Sequence, residues 1–557
     1  MRLLPIDRST VLVELPGLDE VLALQASLRS SPIEGIEELL PAARTLMLRF
    51  DPERLAGERL EGALVAAWVR RETVAPSRAA GPLVEIPVCY DGEDLAEVAR
   101  LAGLTVDEVI RRHQASRFTV AFCGFAPGFA YLVGGDPALR VPRRATPRPQ
   151  VPAGSVALGG VYCGVYPQAT PGGWQLIGRT PMAMWDPGRD PPARLTPGMR
   201  VRFREIGAGE PDFASAPVAA ETPRAPPLGA PPVGPHIEVT AAMLPALVQD
   251  LGRPGHAHLG VAPSGAADRS ALQAANRVVG NPPGLPCLEI ALGSVAFRCR
   301  GDPGDSIVVA VAGAAVSITV QRAAGERSEG ALGQAITLGP GDGVMLGYPA
   351  RGLRSYLAVH GGFDVPFSLG SASRDTLAAL GPAPVVKGTT LAVARAPASV
   401  AGAAVRGGAD RPRGTAPPLP ASGDTLVLDI HLGPRADRFT DAAIAALCDQ
   451  VWRVTPQSSR AGLRLRGEQA LARHDAAELA SEGVVRGAIQ VPHDGQPVLL
   501  LADHPLTGGY PVIAVVAEHH LDLAGQVPPG AGIRFRVGRH RWGSTNARNP
   551  GNIAPCR

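Results

Sequence analysis

The chain has 557 residues, a formal net charge of +3 and 45% hydrophobic residues. That length implies more than one domain, at roughly 100–200 residues each. The near-balanced charge without a dense basic block excludes a nucleic-acid partner as an expectation, and no apolar run approaches the ~20 residues of a membrane span.

Asp7 and Arg8 interrupt the opening MRLLPIDRST where a signal peptide would carry its apolar stretch. A cytoplasmic protein without membrane contact is therefore expected. The seven cysteines show no C-x-x-C spacing, which points to neither a disulfide framework nor a thiolate zinc site. With 66 Gly, 56 Pro and 4% aromatics, many short strands joined by tight turns are expected rather than a helical protein. The chain holds one lysine, Lys387, in VVKGTT. It lacks the G-x-x-x-x-G-K-[S/T] context of a phosphate loop, the desolvated setting of a Schiff-base lysine and the Met-Lys-Met setting of a biotin carrier. A Ser-Ser-Lys amidase is excluded with them. Any ATP would be handled by arginine and backbone amides.

In chain order, STVLVEL (9–15) reads as a strand, and Leu18, Val21, Leu22, Leu24 and Leu28 form a helical apolar stripe. RTLMLRF (44–50) is a second strand, a helix is expected from Pro52 to about Arg71, and LVEIPV (83–88) closes the series. With a short strand near Ile36, this approximates the β-α-β-β-α-β ferredoxin-like order, giving a small α+β subdomain over 1–82. Two helical segments follow. The second opens with Thr105 and Glu108 in capping-box spacing. Short strands and Gly/Pro turns then run to about 206.

Residues 207–235 are Pro/Ala-rich without periodicity and read as a linker. A C-terminal unit over 236–540 starts with HIEVT and a helix from Asp268 to Val279. Its many strand-like runs fall into two β-rich halves with a break near 396–420. The tail at 541–557 is polar, basic and expected to be disordered.

The run FCGFAPGFAYL (122–132) alternates Gly and Pro with aromatics. Gly124, Pro127 and Gly128 force a tight turn that lets backbone approach a ligand, walled by Phe125 and Phe129. A turn pinned into a core is the competing reading. Downstream lie VPAGSVALGG (151–160) and VYPQATPGGWQLIGRT (165–180). Together these segments, with Arg143, Ser155, Tyr166, Trp174 and Arg179, resemble the allophanate hydrolase subunit 1 family, which includes the B-type subunit of 5-oxoprolinase and a sporulation-kinase inhibitor. The C-terminal unit carries QDLGRPGHAHLGVAPSGAADRSALQAANRVVGN (249–281), SSRAGLRLRG (458–467) and SEGVVRGAIQVPHDGQPVLLLADHPLTGGYPVIAVV (481–516). These resemble the allophanate hydrolase subunit 2 family, which includes the C-type subunit of 5-oxoprolinase. One departure is that the family often has a Gln-Thr-Thr run before Gly-Gly-Tyr-Pro, whereas here His504, Pro505, Leu506 and Thr507 precede Gly508; Thr507 and Tyr510 still match.

The resemblance implies a mainly β fold with α+β parts: the small ferredoxin-like subdomain, then tandem cyclophilin-like β-barrel domains. It implies a component of an ATP-dependent 5-oxoprolinase, a hydrolase opening a cyclic amide, with ATP (and Mg) as cofactor. It also implies a separate A-type (LamB/YcsF-like) subunit and no biotin on this chain. The same tandem resembles the carboxyltransferase portion of a biotin-dependent urea carboxylase, and a regulatory binding role like the kinase inhibitor's is a third reading. Homo-oligomerisation stays open.

Opening an unstrained lactam needs donors for developing charge, arginine for a carboxylate and a general base. Arg143, Arg179, Arg253 and Arg460 are arginines inside family motifs, with a structural role as the alternative. Asp268 is either a base or a helix N-cap. Glu289 and Glu482 lie in apolar, Gly-rich runs, as raised-pKa acids or as ion-pair partners. His113 ends a helix, where the dipole favours its cation, and precedes the Phe-Gly-Phe turn. Ser264, Gln490, Thr507 and Tyr510 complete the motif candidates. No spaced metal set appears, and His519 and His520 carry no site assignment.

Overall fold

The computed structural model describes residues 1–71, 81–144, 146, 148–207, 234–394, 418–474 and 479–538. Most of the expected linker, most of the 396–420 break and the tail at 541–557 lie outside them.

The N-terminal unit is a four-stranded antiparallel sheet. It contains β1 (Arg2–Pro5), β2 (Thr10–Glu14), β3 (Ile36–Pro41) and β4 (Thr45–Phe50), ordered β1-β2-β4-β3. Helices α1 (Leu18–Ser30) and α2 (Gly57–Arg70) follow β2 and β4. This is the ferredoxin-like strand order with one exchange. The expected closing strand LVEIPV does not join the sheet, and its edge place beside β2 is taken by β1, with Arg2 opposite Glu14 and Pro5 opposite Val11. Helix α2 begins at Gly57 rather than Pro52, because residues 52–55 form a turn, closed by Leu55 N–H on the Asp51 carbonyl at 2.9 Å.

Strands β2 and β4 are apolar at nearly every position because both faces of the sheet are covered. Successive side chains point to opposite faces. Val11, Val13, Leu46 and Leu48 pack with helix residues Val21, Leu24, Leu60 and Leu64. Leu12 and Met47 pack instead with Val484, Leu506, Val512 and Val515 of the C-terminal unit. The N-terminal sheet is thereby clamped between its own helices and a barrel more than 400 residues away in the chain.

The next unit is a seven-stranded sheet. Its members are β5 (Leu83–Val88), β6 (Phe118–Cys123), β7 (Ala130–Val133), β9 (Ser155–Gly159), β10 (Tyr162–Val165), β12 (Gln175–Arg179) and β13 (Arg200–Glu205). Their order is β12-β9-β10-β7-β6-β13-β5, and β8 (Arg148–Val151) pairs separately with β11 (Thr170–Gly172). Strand β5 runs parallel to β13, from Leu83 opposite Arg200 to Val88 opposite Glu205. Helices α3 (Leu95–Ala102) and α4 (Val106–Ala115) pack on this sheet. Thr105 caps α4, its hydroxyl accepting from Glu108 N–H at 3.2 Å, as the capping-box spacing predicts.

The C-terminal unit contains six- and five-stranded sheets around one aliphatic core over 236–392, followed by a closed seven-stranded barrel over 425–537. The helix Arg269–Val278 is capped by Asp268, whose carboxylate accepts from Ala271 N–H at 2.9 Å. The molecule is mainly β with α+β parts, as expected. Among the described residues no helix is long and apolar enough to cross a membrane.

Candidate functional site

The FCGFAPGF turn leaves β6 and returns as β7, and its backbone touches the C-terminal unit directly. Phe125 sits at φ +63°, a left-handed conformation that costs a bulky residue energy. Its N–H donates to Thr507 Oγ1 at 3.0 Å. At Gly124 a Cβ would stand 2.7 Å from that same oxygen, so only glycine permits the approach. The Gly128 N–H donates to the Leu259 carbonyl at 3.1 Å. Pro127 and Gly128 therefore serve the contact between units, and do not line the cavity beside it.

That cavity, of about 330 Å³, lies where the two units meet. Phe125, Phe129, Tyr131, Tyr166 and Trp174 wall it from one side, and Ser481, Gln490, Thr507 and Tyr510 from the other. Phe129 is the hub of the aromatic wall, edge-on to Phe125, Tyr131, Tyr166 and Trp174 at 5.1–5.4 Å between centroids. Burial pushes the Tyr166 hydroxyl up to about 12. Burial also raises Tyr131, opposed by hydrogen bonds to Ser481 and Thr507 and by the charge of Arg143. These phenols stay protonated at neutral pH and act as hydrogen-bonding groups.

Arg143 lines the same cavity, its guanidinium 6.0 Å from the Trp174 ring centroid. Among the described residues no carboxylate pairs with it. Neighbouring Arg144 and Arg148 are both taken by Asp94, at 2.7 and 2.8 Å. The cavity thus combines an aromatic box, one uncommitted cation, hydroxyls and an amide. It suits a small planar ligand bearing a negative group.

Eight of the residues singled out by sequence meet here: Phe125, Phe129, Arg143, Tyr166, Trp174, Gln490, Thr507 and Tyr510. Tyr131, Ser481 and His493 were not foreseen. Tyr131 was within reach, since it lies at even spacing from Phe129 on the same strand run. His493 sits at the rim, exposed, with its ring edge-on to Tyr510 at 5.8 Å. Its place in PHDG offered no sequence signal.

Four other candidates cluster elsewhere, in a buried network between the two halves of the C-terminal unit. Arg460 donates to Asp503 at 2.9 Å, to the Gly265 carbonyl at 2.6 Å and to Glu289. Ser264 donates to Asp503 at 2.7 Å, and Tyr356 to Glu289 at 2.7 Å. Asp268 accepts from Gln526 at 2.8 Å as well as from its own helix. Burial, with the charge of Asp522, raises its pKa to about 6. Glu289 is held below the usual carboxylate range, the guanidinium groups of Arg460 and Arg354 outweighing its burial. Every one of these groups is consumed by protein partners.

The remaining candidates are also placed away from the cavity. Arg253 is 1% exposed and donates to the Ser368 carbonyl at 3.2 Å and to that of Ser373. Arg179 is exposed and donates to Asp91 at 2.7 Å. Ser155 hydrogen-bonds the Pro152 carbonyl at 2.8 Å. Glu482 receives Arg435 at 2.7 and 2.9 Å, and Arg435 also reaches Glu14 of β2 at 2.7 Å. His113 is fully buried in the sheet's core, its Nδ1 2.7 Å from the Tyr90 hydroxyl. Burial pushes its pKa down to about 3, so it is neutral and the expected benefit from the helix dipole is not realised. Asp429, His519 and His520 lie within 4.8 Å of one another. Arg536 holds Asp429 at 2.7 Å, and His520 Nδ1 accepts the Asp429 N–H, which leaves little for a cation.

Known proteins resemble this chain in the same two parts. The family model for the carboxyltransferase domain, subdomain C and D, matches residues 1–195, and that for subdomain A and B matches 259–537. The B-type subunit of 5-oxoprolinase from Escherichia coli O157:H7 is 48% identical over 174 residues, 30% of this chain and 78% of that protein. The C-type subunit of 5-oxoprolinase from Escherichia coli K12 is 33% identical over 306 residues, 54% of this chain and 90% of that protein. A urea amidolyase of Lachancea kluyveri is 32% identical over 54% of this chain but only 17% of its own length. The crystal structure of TTHA0988 superposes with a TM-score of 0.76 at 34% identity, covering 94% of this chain and 99% of the other. This chain therefore belongs to the carboxyltransferase-domain family, with subdomains C and D in its N-terminal part and A and B in its C-terminal part.

Proposed function

We propose that this chain is the fused B-type and C-type component of an ATP-dependent 5-oxoprolinase. It would open the lactam of 5-oxo-L-proline to L-glutamate together with a separate A-type subunit. The observation that carries this reading is the aromatic cavity built from both parts, one resembling the B-type and the other the C-type subunit of that enzyme. A five-membered lactam carries one carboxylate, one planar amide and an apolar ring edge. Arg143 supplies a fork for the carboxylate, and Phe125, Phe129, Tyr166 and Trp174 supply walls for the ring. The Gln490 amide nitrogen is held by the Tyr510 carbonyl at 3.1 Å, which leaves its oxygen to accept from a lactam N–H. His493, at the rim, is the residue type suited to proton transfer near neutrality and takes the role of base for water. ATP cleavage supplies the driving force that an unstrained amide lacks.

The test is reconstitution of the full chain with its A-type partner, reading glutamate and phosphate release from 5-oxoproline and ATP. Release should require both proteins and ATP, and Arg143→Gln should raise KM for 5-oxoproline at least tenfold. Glutamate formation without this chain would overturn the reading.

The urea amidolyase likeness over 54% of the chain favours a second reading, a carboxyltransferase acting on a urea-like amide. Lys387, exposed in the turn after Val385, is no carrier lysine, so biotin would arrive on another protein. Carboxylation of urea by the chain with a biotin carboxylase and a biotinylated carrier, in place of 5-oxoproline hydrolysis, would select it.

A further inference from the structure

Arg143 lines two cavities. Besides the aromatic cavity it borders a wider cleft of about 500 Å³, formed where all three units meet. Leu18 and Arg44 come from the N-terminal sheet unit, Val161 and Tyr162 from the β9–β10 hairpin, and Leu479 from the C-terminal unit. Among the described residues no carboxylate lines it, and two arginines do. Among the described residues neither Arg44 nor Arg143 has an ion-pair partner. A cleft with charge of one sign and low-dielectric walls concentrates ions of the other. Its lining includes a flat ring: Tyr162 lies nearly parallel to Trp174, planes 14° and centroids 6.4 Å apart, and Val161 beside it is 51% exposed. The backbone of Gly160 leaves open space where a Cβ would stand.

We infer that this cleft binds a multiply charged phosphoryl anion through Arg44 and Arg143, adjoining the amide cavity with Arg143 shared between them. Two sources carry that chemistry, a nucleoside triphosphate and free inorganic phosphate or triphosphate. The cleft's size and its apolar face accommodate the former. The arrangement would bring a phosphoryl group and a small amide to one shared guanidinium. This inference rests on the 5-oxoprolinase reading for the identity of the co-substrate, but not for the existence of an anion site.

The experiment is direct titration of the full chain, without its partner, by calorimetry at low ionic strength. ATP, inorganic triphosphate, inorganic phosphate and 5-oxoproline are used as separate probes. ATP and triphosphate should compete for one site per chain, with phosphate weaker at the same site. Arg44→Gln should weaken both polyanions tenfold or more while leaving 5-oxoproline binding unchanged. Val161→Glu, an exposed position that adds a negative charge to the cleft, should do the same. Tighter binding of ATP than of triphosphate supports a nucleotide occupant, and equal binding supports a site that reads phosphate alone. Wild-type polyanion affinity in both variants, or 5-oxoproline binding without any polyanion binding, would overturn the inference. Loss of 5-oxoproline binding alone would instead count against the amide assignment of the neighbouring cavity.

Discussion

Gly124 and Thr507 show how one atom's room sets the relation between distant segments. The missing Cβ of Gly124 lets Thr507 come close enough to accept the Phe125 N–H. Thr507→Val removes that acceptor and leaves a desolvated amide, a cost of about 1–3 kcal/mol. It should lower the thermal midpoint and raise KM for 5-oxoproline. Gly124→Ala should harm the same quantities by a different route, forcing the two segments apart. Because both act through one contact, Gly124→Ala/Thr507→Ala should cost less than the sum of its single variants. The expected coupling is about 0.5–3 kcal/mol, read from a double-mutant cycle on kcat/KM. Strict additivity would mean that the contact does not position the cavity. The glycine's role was legible as a turn requirement in the sequence. Its true constraint, a close approach from residue 507, was not, because nothing in a local pattern names a partner so far along the chain.

Between elements, the arginines and acids of the family motifs divide by burial. Arg460, Glu289 and Asp503 join strands from the two halves of the C-terminal unit, and all are nearly inaccessible. Despite burial, Arg460 keeps the pKa of both Glu289 and Asp503 below the ordinary carboxylate value. A carboxylate depressed in the folded state binds fewer protons there than when unfolded. Its stabilisation is therefore complete above the unfolded pKa near ~4 and is lost as pH falls through the folded value. Arg460→Met removes the guanidinium paired with Asp503 and one of the two that face Glu289, and should cost about 3–5 kcal/mol at pH 7. It should also reverse the slope, since Asp503 loses the guanidinium that opposes its burial, while Arg354 still faces Glu289 at 3.3 Å. Urea midpoints should fall from pH 5 to pH 3 in the wild type, and rise from pH 7 to pH 5 in the variant. A variant with the wild-type slope would show that Arg460 does not set these charges.

Periodicity and capping spacing found the strands and the helices after Thr105 and Asp268, because those signals are local. The same motifs could not separate Arg143 from Arg460. Both follow Gly/Pro-rich or Ser-rich runs, and only the fold decides which is left without a carboxylate.

At the scale of the molecule, the units are held by contacts scattered through the whole chain. The β2–β4 face packs on Val484, Val512 and Val515. Arg435 joins Glu14 to Glu482. Ala43 N–H donates to the Ser481 carbonyl at 3.1 Å, and Gln168 donates to the Leu377 carbonyl at 2.7 Å. None of these passes through residues 208–233, so covalent continuity there is not what aligns the cavity. The relatives that match each part as separate B-type and C-type polypeptides fit this arrangement. Co-expressed fragments 1–207 and 234–557 should therefore copurify as a one-to-one complex. With the A-type partner they should recover ATP-dependent glutamate release at a KM near that of the intact chain.

Arg435→Met in that split pair leaves the Glu482 carboxylate buried without its partner. Burial already raises the pKa of Glu482 against the pull of Arg435, so without the arginine it should take up a proton. The split Arg435→Met pair should dissociate at concentrations where the parent pair stays assembled, measured by sedimentation. The intact chain with the same substitution should keep its parts together, because a tether of this length holds them at an effective concentration of the order of mM. Equal losses of activity in the split and intact forms would place Arg435 in the chemistry instead of the assembly.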